Sequence, residues 1–86
     1  MTQSVIYTTR FCPFCVRAKQ VLDSKGESYK EVAVDGDREA RQQLMQKTGS
    51  STVPQIWLRG QYVGGCDELM ALGRSGELDQ LLAKAE

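Results

Sequence analysis

The chain has 86 residues, 41% hydrophobic and 26% charged, the make-up of one small globular domain that buries about 60–65% of its unfolded surface. Eleven Lys and Arg balance eleven Asp and Glu, a net charge of zero that gives no bulk attraction to nucleic acid or an anionic membrane. Histidine is absent, which excludes Cys–His proteolysis, histidine general-base chemistry and mixed Cys/His zinc fingers for the three cysteines present.

The β-branched and aromatic run Ser4 to Thr8 (SVIYT) predicts a short buried strand. No basic n-region and no long apolar stretch accompany it, so neither a signal peptide nor a spanning helix is expected. The expected compartment is the reducing cytoplasm, where three cysteines do not form a structural disulfide framework. From Pro13 a helical pattern puts Cys15, Ala18, Val21 and Leu22 on one face and Arg17, Lys19 and Gln20 on the other, stopping at Gly26. Tyr29 to Val34 alternates as a second strand. Asp35-Gly36-Asp37 then supplies a turn and an N-cap for a helix over Arg38 to Lys47 that ends at Gly49. Gln55 to Leu58 and Tyr62 to Val63 predict a hairpin across Arg59-Gly60-Gln61. After Gly64-Gly65, Asp67 is placed to cap a third helix, and Ser75 to Ala85 forms a last amphipathic turn and helix with Leu78, Leu81 and Leu82 inward. The main order is β-α-β-α-β-β-α. The βαβ unit makes the first two strands parallel and the hairpin adds antiparallel ones, so an α/β fold with a four-stranded mixed sheet between helices is expected over residues 1–86.

The chemistry concentrates in Cys12-Pro13-Phe14-Cys15. In a helix starting at Pro13, Cys12 is the N-cap and Cys15 is N3; proline suits N1 because its missing N–H would have no partner there. Unpaired first-turn N–H groups and the helix dipole favour a Cys12 thiolate, lowering such a thiol from about 8.5 into the range ~3.5–7.5. Arg10 and Arg17 add positive charge. A lower pKa makes Cys12 a better leaving group as well as a more abundant thiolate, which an exchange catalyst requires. The spacing also brings the two sulfurs within bonding reach, with Cys12 as attacking and Cys15 as resolving thiol. Two packed cysteines are the blander alternative. A zinc site is another, but Cys66 is the only further thiol and a fourth ligand would have to come from outside.

Two distant segments bear on the choice. Pro54 opens a strand, where its missing donor is tolerated; a cis Val53–Pro54 bond would turn the Val53 backbone outward to pair with an extended peptide, whereas a trans bond would simply start the strand. In Gly64-Gly65-Cys66-Asp67 the glycines permit close backbone approach, and a helix start offers donors to a carboxylate.

In order, the strand followed by C-P-F-C, then TVPQIW, then GGCDEL, closely resembles the dithiol glutaredoxins over essentially the whole chain. The resemblance implies a thioredoxin-like fold, a cis proline and a glutathione groove beside the nucleophile. It implies that Cys12 is the nucleophile and Cys15 the resolving cysteine, the two forming the redox-active disulfide. It implies glutathione contacts from Thr52, Val53 and Pro54, from the Cys66 backbone and Asp67 at the γ-glutamyl end, and from Arg41 at the glycine carboxylate. Phe14, standing where the family usually has tyrosine, and Arg10 complete the implied glutathione contacts. Thr9 stands where it often has lysine, with Arg10 one residue closer to the nucleophile. The implied activity is glutathione-dependent reduction of protein–glutathione mixed disulfides through Cys12 alone, and of protein disulfides through both cysteines. Glutathione is then a co-substrate, with no tightly bound cofactor and no metal. The implied partners are glutathionylated or disulfide-containing proteins met by a monomer. Two other readings stay open: a redoxin serving ribonucleotide reductase and reduced by thioredoxin reductase, and a glutathione-ligated iron–sulfur carrier. The side chain of Cys66 is open to oxidation or glutathionylation, or simply packs.

Overall fold

The computed structural model describes residues 3–83. Four strands, β1 (Ser4–Thr8), β2 (Tyr29–Ala33), β3 (Gln55–Leu58) and β4 (Gln61–Gly64), and four helices, α1 (Pro13–Ser24), α2 (Arg38–Thr48), α3 (Cys66–Ser75) and α4 (Glu77–Ala83), follow in the order β1-α1-β2-α2-β3-β4-α3-α4. They form one mixed sheet in the order β2-β1-β3-β4, with β1 and β2 parallel and the other pairs antiparallel. The expected mixed sheet between helices is observed.

Alternation along β1 decides which layer each side chain joins. Ile6 faces a core completed by Ile56 and Leu58 of β3, Ala18 and Leu22 of α1, Leu69 of α3 and Leu78 of α4, all fully buried. On the opposite face Tyr7 meets Trp57 edge to face, 5.4 Å between ring centroids. α2 covers that side, with Ala40 and Leu44 beside Tyr7 and Lys47 Nζ 5.9 Å above the Trp57 ring. Each buried side chain of this size removes on the order of 1.5–3 kcal/mol of unfavourable hydration.

Several boundaries moved: β2 stops at Ala33 rather than Val34, β4 runs to Gly64 rather than Val63, and three further shifts have a visible cause. Thr48 extends α2, its hydroxyl donating to the Leu44 carbonyl at 2.8 Å. Leu58 pairs with Gln61, so the hairpin turn is only Arg59-Gly60, at φ 51° and 89°, the left-handed pair a two-residue type I′ turn requires. The last helical stretch splits at Gly76, whose φ of 85° ends α3, so α4 begins at Glu77 rather than Ser75; the expected end at Ala85 lies outside the described residues.

At the end of β1 away from Cys12, three segments lock together. The Ser4 hydroxyl donates to Glu27 at 2.7 Å and accepts from the Arg59 backbone N–H at 3.1 Å, while the Arg59 guanidinium meets both Glu27 oxygens at 2.9 and 3.2 Å. The Arg59 hydrogen bond holds the Glu27 carboxyl below its usual range, against the opposing effect of burial. Among the described residues, no helix is long and apolar enough to cross a membrane.

Candidate active site

β1 delivers the chain to a turn at Arg10 and Phe11 that is pinned from the side. The Arg10 backbone N–H donates to the Asp35 carboxylate at 2.9 and 3.2 Å, tying the turn to the loop after β2. Cys12 follows as the N-cap of α1 in extended conformation (φ −134°, ψ 97°), with Pro13 at N1. The Cys15 backbone N–H donates to Cys12 Sγ at 3.0 Å, so the sulfur takes the role an oxygen usually plays at a helix start. No acidic residue lies in this first turn.

Cys12 and Cys15 are joined as a disulfide with their Cα atoms 5.1 Å apart. Cys12 keeps 9% of its surface exposed and Cys15 only 1%, so an incoming reactant meets Cys12 first. Opposite the sulfur, the Val53–Pro54 bond is cis and the Val53 carbonyl oxygen lies 3.9 Å from Cys12 Sγ.

Beside this pair is a cleft of about 210 Å³ lined by Phe14, Thr52, Val53, Pro54, Gly65, Cys66, Asp67 and Glu68. It gathers most of the residues singled out in the sequence from three separate segments. Arg10 and Arg41 are not among the lining residues. Arg10 is exposed on the turn, and Arg41 Nη1 donates to the Ser51 carbonyl at 3.2 Å, bracing the loop that carries Thr52. The same loop is held from below by Gln55, whose side-chain N–H donates to the Ser50 carbonyl at 2.6 Å.

The far wall corrects one expectation. Asp67 does not cap α3: Gly65 is the N-cap, Cys66 is N1 and Asp67 is N2. The capping group is Glu68 at N3, whose Oε1 accepts from the Gly65 N–H at 2.7 Å. A side chain at Gly64 would collide with it, since a Cβ there would lie 2.9 Å from Glu68 Oε1, and the φ of 118° strains any other residue as well. Glu68 is thus a cleft residue that the sequence analysis missed, and Gly65, read there only for close backbone approach, is also the cap. A glutamate three residues after the second glycine was the available signal.

Cys66 is a free thiol, 5% exposed. Burial pushes its pKa up; Asp67 and Glu68 push the same way, and Arg17 opposes them. It is therefore held as a neutral thiol. Among the described residues, no three Cys, Asp or Glu side chains converge as a metal site.

Comparisons with known proteins point one way. The family profile described as Glutaredoxin matches residues 5–63. A relative from Pseudomonas aeruginosa named Glutaredoxin is 55% identical over 83 residues, covering 96% of this chain and 99% of its own. The solution structure of glutaredoxin from Brucella melitensis superimposes with a TM-score of 0.83 at 40% identity, over 100% of this chain and 96% of that one. The crystal structure of a buckwheat glutaredoxin–glutathione complex gives 0.84 at 32% identity, over 92% and 74%.

Proposed function

The chain belongs to the glutaredoxin family and is a thiol–disulfide oxidoreductase of thioredoxin-like fold, and from that premise we propose that glutathione is its co-substrate and Cys12 its nucleophile. The observation that carries this reading is the cleft that runs from Val53 and Pro54 to the start of α3, directly beside Cys12. The likeness to the buckwheat glutathione complex supports it.

In this reading an extended γ-glutamyl peptide lies along the loop bearing Thr52 and Val53, pairing with the Val53 backbone as a short added strand. Its γ-glutamyl carboxylate meets the free N–H groups at the start of α3, and its ammonium group meets Asp67. Phe14 and Pro54 supply apolar contact. Arg41 acts through the loop it braces, and the exposed Arg10 contributes long-range positive charge only.

With the pair reduced, the Cys12 thiolate attacks the glutathionyl sulfur of a protein–glutathione mixed disulfide. A Cys12–glutathione disulfide forms, and the protein sulfur leaves as thiolate and takes up a proton from water. A second glutathione thiolate then attacks the bound glutathionyl sulfur, giving oxidised glutathione and free Cys12. For a protein disulfide, Cys12 attacks one sulfur and releases the other as thiolate. Cys15 then attacks Cys12 Sγ, expels the remaining protein thiolate and leaves the Cys12–Cys15 disulfide. Two glutathiones return the pair to dithiols, so each cycle moves two electrons. The partners are glutathionylated or disulfide-bearing proteins in a reducing compartment, met by a monomer.

The test is reduction of a small glutathione mixed disulfide, coupled to NADPH through glutathione reductase. Cys12→Ser should lose at least about a thousandfold in turnover, as removal of a nucleophile does. Cys15→Ser should keep this reaction and lose protein-disulfide reduction. Loss of mixed-disulfide turnover in Cys15→Ser would sink the Cys12-only route.

A further inference from the structure

Phe11 is 91% exposed, the most exposed large apolar side chain described, and it directly precedes the nucleophile. Phe14 and Val16, 58% and 47% exposed, follow within four residues of Cys12. An isolated exposed apolar residue needs no explanation, but this sequence cluster surrounds the one sulfur that must bond to another molecule. Phe11 has no part in the buried core or the ring contacts, and unlike Phe14 it does not line the cleft. Neither folding nor the cleft uses it.

We propose that Phe11 is a specificity-determining residue for protein disulfides, selecting partners that carry an apolar side chain next to the attacked cysteine. The covalent step fixes the occupant. When Cys12 attacks, a Cys12–S–S–Cys bond forms to the partner and the partner's other sulfur leaves as thiolate. Disulfide geometry holds the two Cα atoms about 4.4–6.8 Å apart, and Phe11 is one residue, about 3.8 Å, from Cys12. The partner's cysteine backbone therefore sits within about 10 Å of the Phe11 backbone for as long as the mixed disulfide lasts. A neighbouring leucine, valine or phenylalanine on the partner then covers the Phe11 ring and takes apolar surface out of water; a serine there does not. A small co-substrate lying in the cleft leaves Phe11 uncovered, so the residue separates protein disulfides from small ones.

This rests on the assignment of Cys12 as nucleophile, and the experiment keeps the two apart. Pre-reduced protein, without glutathione, is mixed with either of two disulfide-looped peptides that differ only in Leu or Ser beside one cysteine. Single-turnover rates are measured. The wild-type chain should prefer the Leu peptide about tenfold, or about 1.4 kcal/mol. Phe11→Ser should bring the ratio to within about twofold, with unchanged turnover of a small glutathione mixed disulfide and an unchanged melting temperature. Met45→Ser, which removes an exposed apolar residue from α2, should retain the full preference. Equal wild-type rates on both peptides, a preference that survives Phe11→Ser, or an equal loss on the small substrate would each overturn the proposal. A Cys12→Ser chain that still reduces the peptides would instead overturn the assignment of Cys12, and this proposal with it.

Discussion

Two helices of this protein begin with a cysteine, and they treat it in opposite ways. At α1 the cysteine is the N-cap: its sulfur receives the Cys15 N–H, the first turn holds no acid, and aromatic residues open to solvent surround it. At α3 the cysteine is one position later, at N1. Its own side chain caps nothing, Glu68 satisfies the N–H of the cap residue, and Asp67 and Glu68 crowd the first turn with negative charge. Proximity to a helix start is thus not by itself enough to favour a thiolate. The sulfur must occupy the cap position toward which the orphan N–H groups point, and first-turn carboxylates must not oppose its negative charge.

The contrast is most directly broken by competitive alkylation of the reduced protein with iodoacetamide at neutral pH, read by mass spectrometry. Cys12 should react on the order of a hundredfold faster than Cys66, because the thiolate is the nucleophile. Cys66 should catch up only as pH climbs past the ordinary thiol range, since burial and its acidic neighbours hold its pKa up. Comparable rates at neutral pH would mean that the two helix starts are electrostatically alike. A smaller effect is expected from giving α1 the first-turn charge of α3: Phe14→Asp, at N2 like Asp67, should move the pH at which Cys12 alkylation reaches half its plateau upward by about half a pH unit, and added salt should weaken that shift. The smallest effect belongs to the α3 cap. Glu68→Gln should cost about 0.5–1 kcal/mol of stability, a loss of several degrees in melting temperature. It should raise Cys66 alkylation by less than about twofold, because burial rather than charge is the main hold on that thiol.

What was legible in the sequence follows the range of the interaction behind each feature. Ser4–Thr8 and Gln55–Leu58 carry β-branched and aromatic runs that no other local structure satisfies, and both strands fall where those runs do. Pro13 after Cys12 fixed the start of α1, because proline at N1 is a strictly local constraint. The cap of α3 misled because Asp is the commoner capping residue, whereas here a glycine takes the position and a glutamate three residues on supplies the oxygen. Arg41 shows the other limit. Its place on a helix and its charge were visible, but that its guanidinium turns to the Ser51 carbonyl depends on how α2 packs across the sheet. The lining of the cleft was legible only through the family resemblance, since its residues come from three segments that no periodicity connects.

The Ser4–Glu27–Arg59 lock binds two distant positions into one heritable character. Arg59 sits at φ 51°, a conformation that asparagine or glycine adopts more readily and that costs arginine about 1–2 kcal/mol. Replacing it with either relieves the backbone but strips the guanidinium from Glu27, whose side chain is 9% exposed. Replacing Glu27 alone removes the carboxylate that both the Arg59 guanidinium and the Ser4 hydroxyl bond, while Arg59 stays in its left-handed turn. Neither position has an inexpensive single step away from its present residue. In lineages descending from this sequence, residues 27 and 59 should therefore change together or not at all, although 32 residues of chain separate them.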